Sequence, residues 1–155
     1  MVIWDGQPTD AVPSGVSRES LLARMGRLCA AVPVEVELGV HLCYGDFGAR
    51  HFIEPKDAVR MVDFANALAR SSRHALAYIH MPVPIERRDD GFHRPLRDLK
   101  LKQGTELFLG LVHAKDGVEG AKARIAAARQ MCRSSALQPS AAWRAPVPRR
   151  RCARC

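Results

Sequence analysis

An α/β fold with a parallel sheet is what this 155-residue sequence predicts. Three short apolar runs, at 36–43, 75–80 and 107–113, have strand length and end on polar residues. Between and beside them lie segments with apolar residues at helical spacing. Strands alternating with helical crossovers give a parallel sheet.

The elements follow in order. Residues 1–16 are turn-rich, with Pro8, Pro13 and Gly15, and read as an irregular N-terminal segment. Ser17 suits an N-cap, and behind it Leu21, Leu22, Met25, Leu28 and Cys29 form one apolar face, opposite Arg18, Arg24 and Arg27. Pro33 closes that helix. The run 36–43 is the first strand. A second helix is expected from Pro55, which suits a first helical position, with Val59, Val62, Ala65 and Leu68 facing inward. A second strand occupies 75–80. A long polar connection follows, with room for a helical turn at 95–99. The third strand, 107–113, is apolar enough to be covered on both faces. A third amphipathic helix covers 119–128.

The net charge is +8, but six arginines and no acid lie in 131–155, leaving +2 for residues 1–130. Basicity therefore belongs to the tail, and the body carries no aromatic stacking platform or recognition helix that would support a nucleic-acid partner. The chain has five cysteines, and Cys29 and Cys43 sit in apolar segments, which fits reduced thiols in a cytoplasmic protein. No apolar run reaches membrane-spanning length, and the first residues lack a signal-peptide layout.

The three strands end on His41 with Cys43, on His80, and on His113. His41 and Cys43 are two apart, so they share one face of a strand. Active sites of parallel α/β folds lie at the carboxyl ends of the strands, and a tetrahedral set of imidazole and thiolate suits zinc. A competing reading makes each histidine a polar loop residue and the cysteine a small core residue. Asp46 could orient a ligand histidine or cap a loop. The turn Asp116-Gly117 before the third helix could bind an anion, though its two acids oppose phosphate. His51, His74 and His93 lie in polar surroundings and are expected in solvent. Cys152 and Cys155 form a single C-x-x-C.

The phrases VELGVHLCYGDFGARHFIEPKDA, AYIHMPVPIERRDD and TELFLGLVHAKDGVEGAKARIAAA resemble a bacterial family related to cobalamin-independent methionine synthase, within the grouping that includes uroporphyrinogen decarboxylase. The resemblance covers roughly 18–130. It implies a (β/α)8 barrel, of which this chain holds three strands, the fifth to the seventh, since a whole barrel takes about 250 residues. The domain plan is then an N-terminal segment 1–16, a partial barrel 17–130, and a disordered basic tail 131–155. The resemblance also implies zinc held by His41 and Cys43, with His80 standing where the synthase has a glutamate ligand. His113 falls where the synthase has an aspartate and is the catalytic candidate. The implied substrate is a small thiol, activated as thiolate for methyl transfer, and a fragment of this size is expected to be inactive without a complementing chain. Two alternatives stay open: a metal-free, decarboxylase-like barrel whose histidines bind a carboxylated ligand, and a binding protein that uses its basic tail.

In the resembling family the last strand reads aromatic-Gly-Ile-Ala-x-Glu-Cys-Gly, and its cysteine is the final zinc ligand. Permitted codons for residues 134–144, read in a displaced frame, encode Phe-Gly-Ile-Ala-Ala-Glu-Cys-Gly-Leu-Ala. Residues from about 131 onward are therefore expected to be out-of-frame translation of that strand and its helix; the alternative is a natural disordered tail.

Overall fold

The computed structural model describes residues 17–47, 50–51 and 54–132. The expectations for 1–16, for the basic tail with its displaced frame, and for Cys152 and Cys155 lie outside the described residues.

Three strands, β1 (Leu38–His41), β4 (Leu76–Pro82) and β5 (Glu106–Gly110), form a parallel sheet in the order β1-β4-β5. A short antiparallel pair, β2 (Asp46–Phe47) and β3 (Arg50–His51), interrupts the chain after β1. Helices α1 (Arg18–Ala30), α2 (Val59–Ser71), α3 (Asp90–His93) and α4 (Gly117–Met131), with a 3-10 turn at Arg94–Asp98, complete the described chain. Among the described residues no helix is long and apolar enough to cross a membrane.

Consecutive strands are neighbours, and the helices form one continuous layer: α1 packs on α2, α2 on the 3-10 turn, and that turn on α3 and α4. One core joins this layer to the sheet. Met61, Val62, Ala65 and Leu68 of α2 meet Val40, Ile79, Met81 and Leu107 of the strands, with Met131 at the far end. Burying a side chain the size of Ile79 or Leu68 contributes about 1.5–3 kcal/mol.

The expectation that the third strand is covered on both faces is corrected here. Alternate strand residues point away from the helices, and Tyr78 and Phe108 there remain 42% and 37% exposed. Among the described residues the sheet is covered on one face only; the apolar run misled because Leu107 and Leu109 face in while Phe108 faces out. That strand also ends at Gly110, level with Pro82, so His113 lies in the loop beyond it.

Caps and tethers set the helix boundaries. Ser17 is the N-cap of α1, its hydroxyl accepting from the Ser20 amide at 3.1 Å. Leu28 does not join the buried face of α1 and is 65% exposed. Helix α2 starts at Val59 rather than at Pro55. The Asp57 carboxylate accepts from the Val59 amide at 2.9 Å, and the segment before it is tethered elsewhere. Arg87 donates to the carbonyls of Pro55 and Lys56 and lies over the Phe92 ring, while the Ala58 amide donates to the Phe92 carbonyl. Val59 is consequently exposed, and Met61 and Phe64 join Val62, Ala65 and Leu68 in the buried set. Helix α4 runs on to Met131, which is buried in the core, so helical structure extends past residue 130.

His93, expected in solvent, is fully buried, with its Nδ1 3.0 Å from the Asp89 carbonyl. A four-residue helix has no sequence period to reveal which side faces in. His74 is half-buried against the carbonyls of Ala75 and Pro33.

The largest fully buried side chain is Arg124 on α4. Its guanidinium holds Asp116 with two bonds, at 2.6 and 2.9 Å. It also donates to the carbonyl of Leu111, just past β5, at 2.8 Å, and to that of Ile85, past β4, at 2.6 Å. A buried guanidinium needs this full set of acceptors to offset its lost hydration. Gly120 lies between the pair on the helix face, and a Cβ there would collide with the Asp116 carboxylate. Replacing Arg124 with Met should lower the unfolding free energy by about 3 kcal/mol, because it strands the Leu111 and Ile85 carbonyls and leaves Asp116 only Arg88. Urea denaturation at neutral pH measures this; an unchanged midpoint would refute the role.

Hydrogen bonding to Arg124, then its charge and that of Arg88, hold the Asp116 carboxyl down at about 2, against an ordinary value of 3.8. The folded value is depressed, so the stabilisation is fully present above 3.8 and is lost as pH falls towards 2. Between about pH 5 and pH 2.5, the native chain should therefore lose more stability than Asp116→Asn, which has no carboxylate to protonate. Equal losses in the two chains would contradict this.

Candidate active site

The uncovered face carries the residues with chemistry. Parallel register places Gly39, Tyr78 and Glu106 in one row across the sheet, and His41, His80 and Phe108 in the next. The Tyr78 ring lies across Gly39, where any Cβ would collide with it, and meets Phe108 edge-on at 5.5 Å between centroids. His80 leans the other way, its Nε2 over Gly110 at the end of β5. Two glycines on the edge strands thus make room for two rings of the central strand.

His41 and His80 are brought together. Their rings stack with centroids 4.8 Å apart, and their Nδ1 atoms approach to 2.6 Å. Two lone pairs would repel at that distance and two N–H groups would collide, so one Nδ1 donates and the other accepts. Burial, and secondarily the charge of His41, lower the His80 pKa from 6.5. The pair stands at the carboxyl ends of β1 and β4, the expected rim.

Cys43 lies two residues beyond His41. Burial alternates from Val40 to Tyr44, with 40, 42 and 44 buried and 41 and 43 exposed, so His41 and Cys43 share the uncovered face. The Leu42 amide donates to the His80 carbonyl at 2.9 Å and keeps this stretch extended beside β4. Cys43 forms no disulfide. Among the described residues, however, no group of three from His, Cys, Asp and Glu is placed to hold a metal ion. The structure therefore brings His41 to His80 but does not close Cys43 or His113 onto them. The side chain of Asp46 lies outside the described residues.

His113 is engaged elsewhere. Its Nε2 donates to the Val83 carbonyl at 2.8 Å, and its own carbonyl accepts from Gly117 at 3.1 Å. Together with Arg124 it ties the exits of β4 and β5 to each other. The turn at Asp116, a candidate anion site in the sequence, spends its carboxylate on Arg124 and Arg88.

Sequence reasoning missed Arg124 and the aromatic pair Tyr78–Phe108. A signal existed for the first: Asp116, Gly120 and Arg124 recur every four residues, which stacks an acid, a gap and a base on one helix face. No family model, no curated protein and no solved structure matches the chain.

In a histidine NMR titration, His80 should ionise below 6.5, and His41→Ala should move its midpoint upward. A midpoint that does not respond to the loss of His41 would show that the rings are uncoupled.

Proposed function

We propose that the chain is a segment of a methionine-synthase-like (β/α)8 barrel, whose uncovered sheet face is the barrel interior and whose His41–His80 pair is a metal-binding element. The observation that carries this is the convergence of the two Nδ1 atoms, in register, at the carboxyl ends of adjacent parallel strands. Supporting it are strands in sequential order with a single helix layer, the arrangement of consecutive βα units in a barrel.

The donors present are two imidazoles and, on the same face, one thiol, a set that suits zinc by type. Imidazole nitrogens on one tetrahedral zinc stand about 3.3 Å apart, so side-chain rotation of under about 1 Å would open the 2.6 Å pair to that spacing. In a complete barrel His41, His80 and Cys43 would hold the ion, and the ion would supply acidification of a bound substrate thiol. The chain's own residues do the positioning. Gly110 leaves room for His80, Leu42 fixes the strand that carries His41, and the Arg124 and His113 ties hold the rim. Three protein donors would leave the fourth position of the ion for a substrate thiol.

Calorimetric titration of the folded chain with zinc chloride tests the reading, with Cys152 and Cys155 replaced by Ser so that the tail takes up no ion. Binding should weaken at least about tenfold in His80→Ala, about 1.4 kcal/mol. Equal affinity in the variant would refute the assignment. A metal-free reading has one observation in its favour, the 2.6 Å approach of the two Nδ1 atoms, which suits a hydrogen bond between the rings. It predicts that no zinc binds and that a small carboxylate shifts the two histidines instead.

A further inference from the structure

Tyr78 and Phe108 meet nearly at right angles on the uncovered face, with ring planes at 84° and centroids 5.5 Å apart. Both rings are exposed. Glu106 joins them. It is the partner of Tyr78 across β4 and β5 and stands two residues before Phe108 on one strand, so the three side chains leave the same face. Glu106 is exposed and forms no ion pair with a described residue. Gly39 lets this corner form, because any Cβ there would collide with the Tyr78 ring.

We propose that Tyr78, Phe108 and Glu106 form a subsite for a small organic cation of the quaternary ammonium class. The face of an aromatic ring carries negative potential and attracts a cation within about 6 Å of its centroid. Two ring planes meeting in a corner let one cation touch both. The Glu106 carboxylate adds the opposite charge beside them. Hydrogen-bonding capacity selects the class. A primary ammonium is strongly hydrated and needs an acceptor for each of three N–H groups, and a guanidinium brings five, which ring faces do not satisfy. A quaternary ammonium has no N–H and lays its methyl groups on the rings. A neutral apolar ligand would cover Glu106 and leave its charge without a partner. The subsite lies one row below the histidine pair, since Phe108 shares the row of His41 and His80 while Tyr78 and Glu106 share the next. It goes beyond the metal reading: it needs this face open to a ligand, and no ion.

The test is an NMR titration of the full chain with choline chloride in the presence of a chelator, with potassium chloride at the same ionic strength as the blank. The ring resonances of Tyr78 and Phe108 should shift together and saturate. The uncharged carbon counterpart of choline, 3,3-dimethylbutanol, should bind at least about fivefold more weakly. Phe108→Leu keeps an apolar side chain at an exposed position, and Glu106→Gln keeps the shape of the acid. Each should weaken choline binding about threefold or more, with an unchanged thermal midpoint. Equal binding of choline and its neutral counterpart would reduce the corner to a plain apolar patch and overturn the inference. Ring shifts no larger than those in potassium chloride would overturn it as well, as would choline binding that survives both substitutions. Because no metal is present, each of these results leaves the metal reading of the pair where it stands.

Discussion

Arg124 has no exposed surface, yet it carries a full charge in the middle of the fold. Everything at the carboxyl ends of β4 and β5 is arranged around that fact. The charge is tolerable because Asp116 meets it with both oxygens and two carbonyls from the strand exits complete the set. The consequence runs outward. The loop after β4 and the loop after β5 are tied to the start of α4, and His113 adds a second tie between them through Val83. The central strand is thereby held firmly on its β5 side, with β1 joined on the other. That is a frame on which two imidazoles can be kept 2.6 Å apart.

Among the described residues the parallel sheet is covered on one face, whereas such sheets are usually buried on both. The uncovered face carries two glycines on the edge strands, His41 and His80, the rings of Tyr78 and Phe108, the exposed Glu106, and one thiol at the margin. It sets the Tyr78 ring over Gly39 and His80 over Gly110, beside the exposed charge of Glu106. The barrel-segment reading centres on this face because the histidine pair stands on it.

Much of the architecture could be read from the sequence, because it rests on local signals. The three apolar runs and the helical spacing between them gave the order of strands and helices, Ser17 gave the first N-cap, and the two-residue spacing of His41 and Cys43 gave their common face. What could not be read depended on partners distant in sequence. Pro55 looked like a helix start, but Arg87 and Phe92, some thirty residues on, hold that segment out of the helix. His93 looked solvated because its neighbours in sequence are charged, while its neighbours in space are core. The bond from His113 to the Val83 carbonyl, thirty residues away and just past β4, could not be read either. The approach of His80 to His41 needed the register of β1 on β4, which the sequence of either strand alone does not encode.

The central claim is that the His41–His80 pair is the metal-binding element of the uncovered face. The most direct measurement is a nitrogen-detected histidine NMR spectrum of the folded chain, recorded before and after zinc is added at neutral pH. The account predicts that the Nδ1 resonances of His41 and His80 shift together, saturate together and lose their shared proton, while His93 and His113 stay where they are. Zinc that leaves the pair unchanged and moves other histidines would contradict it.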